Sequence, residues 1–319
     1  MKTDKNTVIG FVLLGLLFFL YFWYSNKQQS ELLVIKQKQE DSLRRVNAAR
    51  ITPADTVAAR IDSLRRDSVT RVSAAGDFTT AAIGTEQLVT LENNLMKVVF
   101  TTKGAQVKSV ELKNYRSAVD GKNVVLSDHN VLGYSINTSA NQSAQTSSLF
   151  FTASQPVTHA DKSQTISFTL MGANGESITH QYTLKDNAYM IDWDVAMTGA
   201  DKLLSQGLLN MQWRAETFQQ EQTATYERQM SNICFSEGNA FDYISAKSER
   251  KFEKPVQWLS VVQQFFNSTL VAKNSFSSGQ VQWARKTDSS HALATADASL
   301  QMKLPVTASV SVPFQLYFG

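Results

Sequence analysis

Four histidines, one cysteine and a run of carboxylates are the residues of this 319-residue chain whose types could do chemistry. His129, His159, His180 and His291 are scattered: no two stand four apart and no His-Glu-x-x-His occurs, so their spacing makes no metal site. His180 alternates with Ile178 and Tyr182, which reads as a satisfied, half-buried imidazole on a strand. Cys234 stands alone, excluding an intrachain disulfide and a four-cysteine zinc site; it reads as a partly buried small apolar residue rather than a catalytic thiol. Glu216, Glu221 and Glu227 fall in a polar, Gln-rich stretch where a solvated surface explains them better than a general acid and base. No Gly-x-Ser-x-Gly elbow and no glycine-rich phosphate loop occurs. The residues therefore name no catalytic, cofactor-binding or metal site, and no cofactor.

The elements that would carry such residues are mostly strands. From Gly76 onward, short alternating stretches are separated by turn residues, the pattern of antiparallel sheets. Ile166, Phe168 and Leu170 face one way, Gly172-Ala173-Asn174-Gly175 turns the chain, and Ile178, His180, Tyr182 and Leu184 run back. After a second turn at Lys185 to Ala188, Ile191, Trp193, Val195 and Met197 complete a three-stranded meander. Leu304 to Phe318 alternates over eight apolar positions, and Pro305 and Pro313, lacking an N–H, favour an edge strand or a break into two. Residues 77–319 are thus expected to form one large antiparallel β-sandwich of two sheets.

Upstream, the texture is different. Val8 to Tyr24 is a run of 17 residues without a charge, about 25 Å long as a helix, the short end of what spans a bilayer. Lys2 and Lys5 precede it and Tyr21, Trp23 and Tyr24 close it as an interfacial belt. Trp23 to Lys27 offers no small-residue cleavage site, so the run reads as an uncleaved anchor over 8–24 behind a head at 1–7. Residues 25–76 contain no aromatic and cannot bury a core, so they read as a polar, partly helical linker. Within it Asp41-Ser42-Leu43-Arg44-Arg45 recurs as Asp62-Ser63-Leu64-Arg65-Arg66, three heptads later; a solvated spacer, a short coiled coil and attraction to anionic headgroups all fit.

Charge follows the same division. Lys27 to Arg71 holds ten Lys/Arg against six Asp/Glu, while Ser73 to Gly319 sums to −2, so the excess behind the formal net charge of +3 lies in the linker and head. A nearly neutral body argues against nucleic acid as a partner. Lys27, Lys36, Lys38 and Arg44 at the exit outnumber Lys2 and Lys5 at the entry, so simple counting favours an outside N-terminus.

Several stretches together resemble the N-terminal half of YidC-type membrane protein insertases. Met1 to Phe11 is similar to the family's start, a polar head with Asn6-Thr7 running into the first membrane helix. Leu91 to Ala105 followed by Val107 to Tyr115 resembles the opening strands of its periplasmic domain, with Lys103-Gly104 as the hairpin turn. Val256 to Phe266 resembles a segment with a tryptophan, an apolar strand and an aromatic pair, and Phe314 to Gly319 the closing strand. The resemblance implies an inside N-terminus and a periplasmic super-sandwich of two antiparallel sheets with a short helical part near its C-terminal end. It also implies residence in the bacterial inner membrane and the role of inserting and folding inner-membrane proteins, alone or with the Sec translocon. The partners it implies are the bilayer, nascent membrane proteins and SecD/SecF-type subunits. No later stretch supplies a second span, so the chain is expected to lack the family's insertase membrane domain and to perform no enzymatic reaction. Super-sandwiches also resemble galactose mutarotases, so the alternative is a membrane-tethered, carbohydrate-binding or mutarotase-like protein, which would need a His and a Glu converging in a cleft.

Overall fold

A computed structural model describes residues 72–286 and 292–319 of the chain. Val8 to Tyr24, most of the linker and His291 lie outside the described residues; among those described, no helix is long and apolar enough to cross a membrane.

Three antiparallel sheets build the body, one more than the sequence suggests. The largest has ten strands: Ala240–Ile244 forms one edge, followed by Asn232–Glu237, Val256–Gln263, Phe266–Phe276, Ser309–Phe318, Met190–Thr198, Ser177–Leu184 and Gln164–Met171, with two short strands at the far side. A six-stranded sheet includes Leu208–Phe218, Ala292–Lys303 and Val131–Ser139. The third, of four strands, runs from Leu88–Glu92 through Met96–Thr101 and Gln106–Arg116 to Asn123–Leu126. It was hidden in sequence because its strands are as short and as alternating as the others; only pairing separates them.

The meander stands where alternation placed it. Ile166, Tyr182, Trp193 and Phe314 are successive partners across four neighbouring strands, and the period of two sends all four inward. Rings fill that interior: Phe100 meets Tyr182 at 4.7 Å between centroids, Tyr182 stacks on Trp193 at 5.8 Å, and Trp193 meets Phe314 at 4.8 Å. Each such ring buries a large apolar area and holds its strand in register, because a slip of one residue would turn it to solvent.

Two expectations change. The long run from Leu304 does break around Pro305, with one strand ending at Lys303 and the next starting at Ser309. Pro313, however, lies inside a central strand. Phe318 donates its N–H to Tyr189, so alternate residues donate toward Met190–Thr198, and Pro313 lacks its donor on the opposite side. There the pairing with Phe266–Phe276 has already stopped, at Ala272 and Phe314, so no ladder bond is lost. The helical part is also misplaced: among the described residues helix occurs at 72–74, Gly76–Phe78, Thr79–Ala82, Thr146–Ser148, Ala200–Leu203, Ser205–Gly207 and Ala224–Met230, none near the C-terminal end. Apolar spacing of two from Val310 to Phe318 commits that end to a strand.

Candidate functional site

His180 is the most chemically unusual residue in the body, and it is sealed. At 1% exposure it is fully buried, not half-buried, between the ten- and six-stranded sheets. Its Nδ1 lies 2.9 Å from the Ala105 carbonyl, which can only accept, so Nδ1 carries the proton and Nε2 accepts from the Tyr134 hydroxyl at 2.7 Å. Tyr182 donates to the same Ala105 carbonyl at 2.7 Å. Burial lowers the imidazole pKa from 6.5 to about 4, against the upward pull of the Ala105 carbonyl, and pushes both tyrosines up. Gly104 and Ala105 adopt φ of 78° and 49°, and this network ties their turn to the sheet behind it. The arrangement fixes a hairpin; it offers nothing to a substrate.

Four further side chains belong to the chemical inventory. Glu227, expected on a solvated surface, is fully buried on the helix Ala224–Met230. Its carboxylate accepts the backbone N–H of Gln220 at 3.0 Å and of Glu221 at 3.1 Å, and the Gln263 side-chain amide at 3.4 Å. Burial raises its pKa although those donors work the other way. The polar sequence around it concealed one inward position on a short helix. Cys234 is half-buried, with its thiol 3.0 Å from the Asn232 side-chain oxygen and its pKa raised by burial, opposite to a reactive thiolate. His129 and His159 are exposed beside Asp128 and Thr165. The described histidines are therefore not brought together, and none has a glutamate among its recorded partners.

The outer face of the ten-stranded sheet is open as well. A shallow cavity of about 360 Å³ runs over Met190, Cys234, Trp258, Thr269, Val271 and Tyr317. The hydroxyls of Thr269 and Ser260 on its floor lie 2.7 Å apart. Beyond Trp258 toward the sheet edge stand Phe241 and Tyr243, 65% and 56% exposed. Phe241 and Trp258 are partners of the small Ser236 between them, and their rings lean over it to a centroid separation of 6.1 Å. Phe241 and Tyr243 stack at 6.4 Å. This shelf can offer ring faces and apolar area. Alternation in Val256–Gln263 points to Trp258, but the edge strand Ala240–Ile244 carried no signal strong enough to single it out.

Residues 88–319 match the family described as the YidC periplasmic domain. The membrane protein insertase YidC of Phocaeicola vulgatus is 28% identical over 324 aligned residues, which cover 99% of this chain and 50% of that protein. That of Bacteroides fragilis is 27% identical over 331, covering 99% and 51%. The chain thus spans about half the length of the curated relatives it matches. Among solved structures, a galactose mutarotase-like protein from Lactobacillus casei has a TM-score of 0.45 at 10% identity, covering 73% of this chain and 100% of that one. A likeness at that level carries no argument for sugar chemistry.

Proposed function

Because this chain belongs to the YidC periplasmic domain family, we propose that it is the anchor and periplasmic portion of a membrane protein insertase. The observation that carries the reading is the family match over the whole sheet-built body, joined to relatives that align along 99% of the chain and so include Val8 to Tyr24. In this reading residues 1–7 are a cytoplasmic head, 8–24 cross the bacterial inner membrane, 25–76 are a spacer and 77–319 stand in the periplasm.

Insertion itself is assigned to the part of the relatives that this chain does not span. There a polar groove open to lipid would lower the cost of carrying a hydrophilic segment through hydrocarbon, where each charged residue costs about 3 kcal/mol or more. The portion present would tether, orient and dock. Its proposed partners are the bilayer, nascent inner-membrane proteins and the Sec translocon with its SecD/SecF-type subunits, and the nearly neutral body suits proteins better than nucleic acid. The sealed, doubly bonded His180 favours this over a sugar-acting enzyme, which would need that imidazole in a cleft.

Topology tests the reading. Alkaline phosphatase fused after Gly319 should be active in cells, and the chain should stay in the membrane pellet after alkaline carbonate washing. Phosphatase silence alongside activity of a cytoplasmic reporter at the same position would refute it.

A further inference from the structure

The edge strand Ala240–Ile244 is joined to Asn232–Glu237 by a two-residue turn, Gly238 and Asn239, both with positive φ (58° and 66°). Such a turn makes Glu237 and Ala240 a hydrogen-bonded pair, and alternation then fixes every later group. Ala240, Asp242 and Ile244 bond inward to the sheet. Phe241 and Tyr243 turn their N–H and C=O groups outward, where, among the described residues, no other strand takes them.

One outward donor is covered in an unusual way. The Tyr243 N–H donates to the carboxylate of its own neighbour Asp242 at 2.8 Å. The other outward groups, the Phe241 N–H and both carbonyls, have no recorded partner of this kind, so the edge is masked by a single movable carboxylate. An unpaired edge this apolar on its outer face would invite a second copy of itself. The register that pairs all five residues antiparallel, however, sets Asp242 directly opposite Asp242, and like charges facing across a ladder repel. The same geometry favours a different strand. A carbonyl of an incoming chain would take the Tyr243 N–H and release the Asp242 carboxylate, which a cation opposite it would then neutralise.

We propose that Ala240–Ile244 is a docking strand: it receives an extended, apolar segment of a second polypeptide in antiparallel register, with a Lys or Arg of that segment opposite Asp242. Alternate side chains of the incoming strand lie beside Phe241 and Tyr243 and extend the shelf that ends at Trp258. Backbone pairing supplies affinity, and the charge opposite Asp242 supplies selection. Docking in this form does not depend on the insertase reading, since it requires only an open edge and a carboxylate.

Fluorescence anisotropy of nine-residue Thr/Val-alternating peptides, one with Lys and one with Glu at the centre, on the full chain in lipid nanodiscs tests it, with empty nanodiscs subtracted. The Lys peptide should bind saturably and several-fold more tightly than the Glu peptide, and Asp242→Lys, on an exposed side chain, should invert that order. Tyr243→Pro removes an outward N–H without touching the inward ladder and should weaken both peptides. Absence of saturable binding by either peptide, or a preference unchanged by Asp242→Lys, would overturn the proposal.

Discussion

Acid should weaken this domain through one imidazole. His180 is held neutral in the fold, with a pKa near 4, whereas in the unfolded chain it regains 6.5. Below pH 6.5 the unfolded state therefore takes up a proton that the folded state refuses. Stability from this group is complete above 6.5 and is lost as pH falls toward 4, at a slope approaching 1.4 kcal/mol per pH unit, or about 2–3 kcal/mol by pH 4.5. Other groups titrate on the way: Glu237 and Asp192, with pKa values held down by hydrogen-bonding partners that outweigh burial, lose stability in the same direction. Glu227, with its pKa raised by burial, works against them. A difference isolates the imidazole. His180→Leu keeps the volume apolar and leaves Tyr182 on the Ala105 carbonyl, but strips Tyr134 of its acceptor, costing about 1–3 kcal/mol at pH 7.5. Urea unfolding in mild detergent, followed by fluorescence of tryptophans including the core Trp193, would be run at pH 7.5 and 4.5 for both proteins. The gap between them should shrink by about 2–3 kcal/mol, or reverse, at the lower pH. An equal pH slope in the two proteins would refute the buried neutral imidazole.

Other expectations follow from single contacts. Gly104→Ala should destabilise by about 1–3 kcal/mol in the same unfolding assay, because φ is 78° there and an added Cβ would stand 2.8 Å from the Ser147 Cα; an unchanged midpoint would count against the turn geometry. Glu227→Ala should cost about 2 kcal/mol or more by orphaning the Gln220 and Glu221 amides, and hydrogen exchange should quicken locally at those two residues. Exchange confined to distant strands would contradict that assignment.

Period-two alternation made the meander from Gln164 to Thr198 legible down to its turns, since each inward residue from Ile166 to Met197 is apolar apart from His180. The same signal separated Phe265, exposed in a turn, from nothing: the aromatic pair looked uniform, yet Phe266 is buried. What sequence withheld were facts of pairing. Pro313 is acceptable in a central strand only because pairing with one neighbour has stopped beside it, and Glu227 looks solvated until Gln263, 36 positions away, closes over it. The docking edge was invisible for the same reason, because Ala-Phe-Asp-Tyr-Ile has no mark of being last in a sheet.

In the proposed topology the sheet-built body stands outside the cytoplasm on an N-terminal tether. A single cysteine placed by Val157→Cys, at a 53% exposed site, in a Cys234→Ser background would be challenged with a membrane-impermeant maleimide in unlysed spheroplasts. Labelling without lysis, on a chain that sediments with the membranes, is the expected result; labelling only after lysis would contradict the account.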